Sequence, residues 1–142
     1  MYFAVLIFVN VFVMNITFVF GESMLPTLND RQIGLVWKVK TQYDRCDIVI
    51  TNTENPYETH LIKRVIGIEG DHLEIRNSQV YVNGRLLQEE YLAERPEYGK
   101  EIDLIVPENT VFLMGDNRNH SRDSRHIGPI AVDNVIGKLI LY

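Results

Sequence analysis

The strongest constraint in this 142-residue sequence is the contrast between its first 21 residues, which contain no Lys, Arg, Asp or Glu, and the charged remainder. The run from residue 2 to residue 20 is almost continuously apolar, with Asn10, Asn15 and Thr17 as its polar members. About 20 apolar residues are needed for a helix to cross a bilayer. The run has neither the basic start nor the small-residue cleavage site of a removable leader. We therefore expect residues 1–15 to form a short, retained membrane anchor.

The pattern changes toward the end of the apolar run. Residues 16–20 are β-branched and aromatic, which favours a strand. From residue 29 onward, short apolar runs alternate with turn signals. Asn77-Ser78 lies between two runs that are typical of a hairpin pair, and Asn83-Gly84 is a strong tight-turn signal. No long segment after residue 29 keeps a helical period. The sequence therefore predicts a mostly β domain over residues 16–142.

Composition excludes several classes of function. The chain is 46% hydrophobic, enough for a buried core, and its net charge of −5 argues against a nucleic-acid surface. Its single cysteine, Cys46, excludes an internal disulfide and a multi-cysteine zinc site. We interpret Cys46 as a half-buried residue at the edge of a strand. No metal and no cofactor is predicted.

Two adjacent cations lie in the predicted strand HLIKRVIG at 60–67. Side chains alternate along a strand, so Lys63 and Arg64 point to opposite faces. A buried Arg stays charged and needs a carboxylate, whereas a desolvated Lys can lose its proton. Lowering a lysine pKa from about 10.4 to about 8 takes about 3 kcal/mol, after which the amine can act as a general base for a serine. On this strand alone, a lysine whose stem packs while its head reaches water is the favoured alternative.

The segment GDNRNHSRDSRHIG at 115–128 is unusually dense in Asp, Arg, Ser and His. A calcium loop is excluded because Arg118 and His120 would fall at ligand positions. Ion pairs that hold an irregular segment in one shape are more plausible than a freely solvated loop. The expected contacts are Asp116 with Arg64, Asp123 with Arg125, and Ser121 with an active-site lysine.

The segment GESMLPTL at 21–28 presents one small hydroxyl immediately after the apolar run. Gly21 permits a tight backbone, and Pro26 restricts the chain just beyond Ser23. Without a base nearby, Ser23 is an ordinary turn hydroxyl; with one, it is a nucleophile.

Three segments, in this order, resemble the type I signal peptidases, which are membrane-anchored Ser-Lys proteases: GESMLPTL, HLIKRVIGIEGD at 60–71 and GDNRNHSRDSRHIGPI at 115–130. A weaker match lies at 47–50. The resemblance covers nearly the whole chain after residue 15. It implies an all-β catalytic domain with a small inserted β region at about 67–110, preceded by one N-terminal transmembrane helix.

The resemblance implies a role for each matching residue. Ser23 would be the acylating nucleophile, Lys63 the general base, and Ser121 a residue that orients the lysine. Met24 would line the substrate site, and four charged residues would be structural supports: Asp116, Arg64, Asp123 and Arg125. Position 21 departs from some relatives, in which a serine donates a second hydrogen bond to the oxyanion; here it is glycine.

The resemblance also implies partners and a location. The substrates would be preprotein signal peptides with small residues at positions −1 and −3. The chain would contact membrane lipid near the protein export machinery. It would cross the plasma membrane once and carry residues 16–142 on the extracytoplasmic side.

Four alternatives remain open at this level. The chain could be a mitochondrial inner-membrane peptidase, or an inactive relative that serves as a membrane scaffold for surface-protein assembly. A self-cleaving repressor is disfavoured because no helical DNA-binding segment is present. A Ser-His-Asp hydrolase is conceivable because three histidines are available: His60, His120 and His126.

Overall fold

The computed structural model describes residues 13–39, 42–53 and 60–142. Within them the regular secondary structure is almost entirely strand, which confirms the predicted mostly β class. The strands are β1 Met14–Phe18, β2 Ile33–Trp37, β3 Ile48–Asn52, β4 His60–Ile68, β5 His72–Arg76, β6 Gln79–Val82, β7 Arg85–Leu86, β8 Ile102–Ile105, β9 Thr110–Met114, β10 Ile130–Ala131 and β11 Val135–Leu141. One four-residue helix, α1, spans Ser124–Ile127, and short 3-10 helices span Arg118–His120 and Val132–Asn134.

The larger sheet has seven strands in the order β1-β2-β11-β3-β4-β9-β10. Its central strands β3 and β4 are buried along most of their length, which fits their nearly continuous apolar sequences. Two clusters of buried apolar side chains stabilise it, one containing Met24, Ile48 and Ile50 and the other containing Val49 and Val65. Each fully buried aliphatic side chain contributes about 1.5–3 kcal/mol. The lysine-bearing strand is therefore held in the buried centre of the larger sheet.

The smaller sheet has four strands in the order β7-β6-β5-β8 and packs around its own apolar cluster. All four strands lie within the region of about 67–110 expected to be inserted. The turns at Asn77-Ser78 and Asn83-Gly84 have positive φ at both central residues, as two-residue hairpins require. Both hairpins were predicted from these residue pairs.

The predicted membrane anchor falls mostly outside the described part of the chain. Residues 1–12 lie outside it, and Met14 and Asn15 belong to β1. Among the residues that the structure describes, no helix is long and apolar enough to span a membrane.

The interpretation of Cys46 was wrong. The residue is exposed, and its φ of 73° places it in the left-handed region. It lies in the turn before β3, where the amide of Asp47 donates to the carbonyl of Asp44 at 3.2 Å. The apolar run that follows Cys46 suggested a strand edge. In the structure Cys46 belongs to the turn, and β3 begins at Ile48.

Candidate active site

The loop that carries Ser23 begins soon after β1 and is held by its own apolar residues. Met24 and Leu28 are buried in the core beneath it, 2% and 0% exposed, and the amide of Leu28 donates to the carbonyl of Met24 at 2.9 Å. At the start of the loop, the amide of Gly21 donates to Oδ1 of Asp30 at 2.8 Å. Ser23 itself is only partly buried. The apolar residue types therefore anchor the loop and leave the serine at its surface.

Lys63 lies on β4, and its amine meets the serine. Nζ of Lys63 donates to Oγ of Ser23 at 2.7 Å and to the carbonyl of Ile62 at 3.0 Å. Lys63 is only 3% exposed. This is the distance at which a base can take a hydroxyl proton.

Arg64, the next residue of β4, holds the turn that follows β9. It forms a buried two-point ion pair with Asp116, from Nε to Oδ1 at 2.8 Å and from Nη2 to Oδ2 at 2.6 Å. Burial alone would lower the pKa of Arg64, but the hydrogen bonds and charge of Asp116 outweigh it and hold that pKa above its ordinary value. Thr27 joins the pair, because its hydroxyl donates to Oδ2 of Asp116. β4 and the loop that carries Ser23 thus share one buried carboxylate.

Asp123 organises the second half of the polar segment. It is 1% exposed, caps α1 and accepts hydrogen bonds from Arg125 Nε at 2.8 Å, Gly115 N at 2.9 Å and Ser121 Oγ at 2.7 Å. Burial alone would raise the pKa of Asp123, but these hydrogen bonds and the charge of Arg125 hold it below its ordinary value. Asp123 is therefore an ionised internal support.

The resemblance implies that Ser121 orients the lysine, and this stays a prediction. In the structure the hydroxyl of Ser121 donates to Asp123. It also lies close to the backbone of the nucleophile loop across Gly115. A Cβ added at Gly115 would lie 2.2 Å from Oγ of Ser121 and 2.5 Å from the carbonyl oxygen of Ser23. Glycine is the one residue type that leaves room for this approach. The sequence reasoning did not single out Gly115, although it opens the polar segment.

A cleft of about 800 Å³ opens beside the Ser23–Lys63 pair. Its walls are residues 15–20 around β1 and residues 60–63 of β4, and its lining includes Met24, Ile50 and Ile62. β1 is an edge strand of the described sheet. Among the described residues, β3 pairs with residues 60–64 of β4, and β9 pairs with Arg64 and residues beyond it. The β1 wall thus presents a strand edge that an extended peptide can join.

Two of the three candidate histidines contact polar side chains other than Ser23. His120 is exposed, with Nδ1 3.3 Å from Oδ1 of Asn117, and His126 is exposed, with Nδ1 3.8 Å from Oδ1 of Asp123. His60 lines the cleft at the start of β4. Within the described ranges, no cluster of three His, Cys, Asp or Glu residues suits a metal ion. The base that contacts Ser23 is the lysine.

Comparison with known proteins places these features in a family. A sequence model described as "Signal peptidase, peptidase S26" matches residues 1–142. The chain is 39% identical over 119 residues to signal peptidase I S of Bacillus subtilis (strain 168), covering 75% of this chain and 63% of that protein. It is 36% identical over 136 residues to the probable signal peptidase I-1 of Synechocystis sp., covering 89% and 69%. The match thus spans less than two thirds of the Bacillus relative.

A solved structure agrees with the fold. The crystal structure of a signal peptidase I from Enterococcus faecalis V583 is similar to this chain with a TM-score of 0.61 and 32% sequence identity. The similarity covers 70% of this chain and 98% of that one. The two proteins therefore share a fold.

Proposed function

The chain belongs to the signal peptidase family, peptidase S26, and we propose that it is a serine endopeptidase that removes signal peptides from exported preproteins at the membrane surface. In this proposal Ser23 is the nucleophile and Lys63 is the general base. One observation carries the proposal, the 2.7 Å contact between Nζ of Lys63 and Oγ of Ser23 at the wall of a peptide-sized cleft.

The proposed reaction has two steps. In the first, neutral Lys63 takes the hydroxyl proton as Oγ of Ser23 attacks the scissile carbonyl carbon; the C–N bond then breaks, and the protonated lysine gives its proton to the leaving amine. In the second, Lys63 takes a proton from a water molecule that attacks the acyl ester, and Ser23 recovers its hydroxyl proton. Burial of the amine favours the neutral form that both steps require.

The oxyanion needs hydrogen-bond donors, each worth about 3 kcal/mol. The amide of Ser23 is the first candidate. Gly21 cannot supply the side-chain donor of some relatives, and its amide is already bonded to Asp30. We therefore propose that the second donor is a water molecule or another backbone amide.

The cleft supports an extended substrate with small side chains. Alternate residues of a strand share a face, so the side chains at −1 and −3 would point the same way. If the peptide joins the edge of β1, that face meets an apolar lining that includes Met24 and Ile62. The partly closed cleft favours small residues there.

An apolar sheet surface supports contact with lipid. Ile16, Phe18 and Ile33 are each more than half exposed, and Phe18 lies directly opposite Ile33 across β1 and β2. Leu141 of β11, 68% exposed, is paired with Leu35 of β2. This surface adjoins the cleft and continues from the charge-free N-terminal run. We propose that it rests on the membrane beside a single-pass anchor, with the cleft on the extracytoplasmic side near the export machinery.

No observation favours an inactive scaffold or a mitochondrial peptidase over this proposal. An inactive relative would need neither a serine nor a buried lysine, and here the two are hydrogen-bonded. The scaffold therefore remains an outcome of the experiment below.

The test is cleavage of a synthetic preprotein with Ala at −1 and −3 by the purified chain in detergent, with the product N-terminus determined by mass spectrometry. We expect cleavage after −1, complete loss in Ser23→Ala and Lys63→Ala, and retained cleavage when His60, His120 or His126 is singly replaced by Ala. Lys138→Ala is the matched lysine control, because Lys138 lies on β11 and forms an ion pair with Asp47. Full activity of Lys63→Ala would refute the dyad, and no cleavage by the unaltered chain would favour the scaffold.

A further inference from the structure

A buried ion pair connects the inserted region to the turn beside the nucleophile. Nη2 of Arg118, in the 3-10 helix after β9, donates to Oε1 of Glu89, in the loop between β7 and β8. The two side chains are 1% and 10% exposed. Burying an ion pair costs desolvation free energy unless further hydrogen bonds satisfy its remaining donors and acceptors. The other partners of Arg118 and Glu89 therefore matter.

Two tyrosines of the same loop complete this pair. Nη1 of Arg118 donates to the hydroxyl of Tyr98, and the hydroxyl of Tyr91 donates to Oε1 of Glu89 at 3.0 Å. Burial raises the pKa of both tyrosines, so both remain neutral. The guanidinium of Arg64 stacks on the ring of Tyr91, 4.1 Å from its centroid. We call Glu89, Tyr91 and Tyr98 the brace.

Arg118 connects the brace to the loop that carries Ser23. Its Nε donates to the carbonyl of Gly115 at 3.0 Å. Two residues further on, the amide of Asn117 donates to the carbonyl oxygen of Ser23 at 3.0 Å. The turn 115–117 is therefore held by Arg118 on one side and holds the backbone of Ser23 on the other.

We infer that Glu89 is a positioning residue for Ser23, so that the inserted region sets the turnover rate although it supplies no group that touches the reacting atoms. This inference rests on the proposed peptidase activity. Loss of the Glu89 charge frees Arg118 to leave the carbonyl of Gly115, and the turn that orients Ser23 loosens. A displacement of about 1 Å in a catalytic group costs up to about 100-fold in rate.

The first experiment compares Glu89→Gln with Glu90→Gln, an exposed neighbour that undergoes the same change of charge. On the synthetic preprotein we expect Glu89→Gln to lower kcat about 10- to 100-fold with KM within about twofold, and Glu90→Gln to change neither. Tyr98→Phe, which removes one acceptor of Arg118, is expected to lower kcat about threefold to tenfold by the same route, and it decides the question if Glu89→Gln does not fold. A lower Tm with unchanged kcat would overturn the inference and leave a structural role.

The second experiment does not depend on activity. Hydrogen exchange of the Asn117 amide, which bonds Ser23, reports the turn directly. We expect about tenfold faster exchange in Glu89→Gln than in Glu90→Gln, with no matching change at the core amide of Val65. Equal rates would overturn the inference. If the unaltered chain cleaves nothing, the proposed function fails while this measurement still decides whether Glu89 positions the turn.

Discussion

Oγ of Ser23 and Nζ of Lys63 lie 2.7 Å apart although the residues are 40 positions apart in the chain. The serine belongs to a surface loop and the lysine to a central strand, so their contact depends on the packing of that loop on the sheet. Met24 and Leu28 provide this packing. The contact between Ser23 and Lys63 is thus a product of the fold, and it makes the proposed role of the lysine testable.

Lys63→Arg is expected to lower kcat about 10³-fold or more, because arginine keeps the positive charge and cannot accept the hydroxyl proton near neutral pH. Steady-state assays with the synthetic preprotein at saturating concentration measure kcat directly. The control is Lys138→Arg, which preserves a partly exposed pair with Asp47 and is expected to leave kcat unchanged. Substantial activity in Lys63→Arg would mean that the lysine contributes charge, and the general-base role would be lost.

Gly115→Ala is expected to produce a folded chain whose kcat is reduced about 100-fold, because the added methyl group would meet the carbonyl oxygen of Ser23 and force the nucleophile loop to move. Gly99→Ala is the matched control, since a Cβ there meets no atom within 4 Å. Circular dichroism and kcat are the measurements. Equal activity in the two variants would show that the loop accommodates the methyl group.

Sequence reasoning reached the mostly β class, the two hairpin turns and the Arg64–Asp116 and Asp123–Arg125 pairs. These depend on local turn chemistry or on the need of a buried charge for a partner, both of which are visible in residue types.

The brace and Thr27 were not foreseen, for a physical reason. Residues 89–100 are polar and lack a period, so the sequence indicates a loop and nothing about where the loop packs. Glu89 is buried because Arg118 requires an anion, a long-range contact between residues 29 positions apart. The sequence likewise gives no sign that the hydroxyl of Thr27 donates to a buried carboxylate.

Thr27→Val is expected to destabilise the fold by about 1–3 kcal/mol, because it leaves a lone pair of Asp116 without its hydroxyl donor in a buried site. Urea unfolding measures the change. Thr110→Val is the control: its hydroxyl bonds an exposed carbonyl of Pro107, and the expected change is within about 0.5 kcal/mol. If the two variants are equally stable, the hydrogen bond of Thr27 does not stabilise the Arg64–Asp116 pair.

Cys46→Gly is expected to stabilise the fold by up to about 1 kcal/mol, because an L-residue at φ 73° bears a steric cost that glycine avoids. Thermal unfolding under reducing conditions measures the gain. Cys46→Ala removes the thiol but keeps the Cβ, so it should give no such gain. A rise in Tm shared by both variants would assign the effect to the thiol and not to the backbone.

Asp123→Asn tests the acid dependence of stability. Because the folded pKa of Asp123 lies below its ordinary value, its carboxylate contributes stability that is fully present above the unfolded pKa of about 3.9 and is lost as the pH falls through the lower folded pKa. The variant leaves Arg125 without its buried anion, which costs about 3–5 kcal/mol at neutral pH.

The decisive measurement for Asp123 is therefore the difference in unfolding free energy between the unaltered chain and Asp123→Asn from pH 7 to pH 2.5. We expect the difference to be largest near neutrality and to shrink below about pH 4, where the carboxylate begins to take up its proton. Asp103→Asn is the matched control, because its side chain is 75% exposed and its contribution should be small throughout. A difference for Asp123 that stays constant across this range would show that the charge of the carboxylate is not what supports the segment around Ser121.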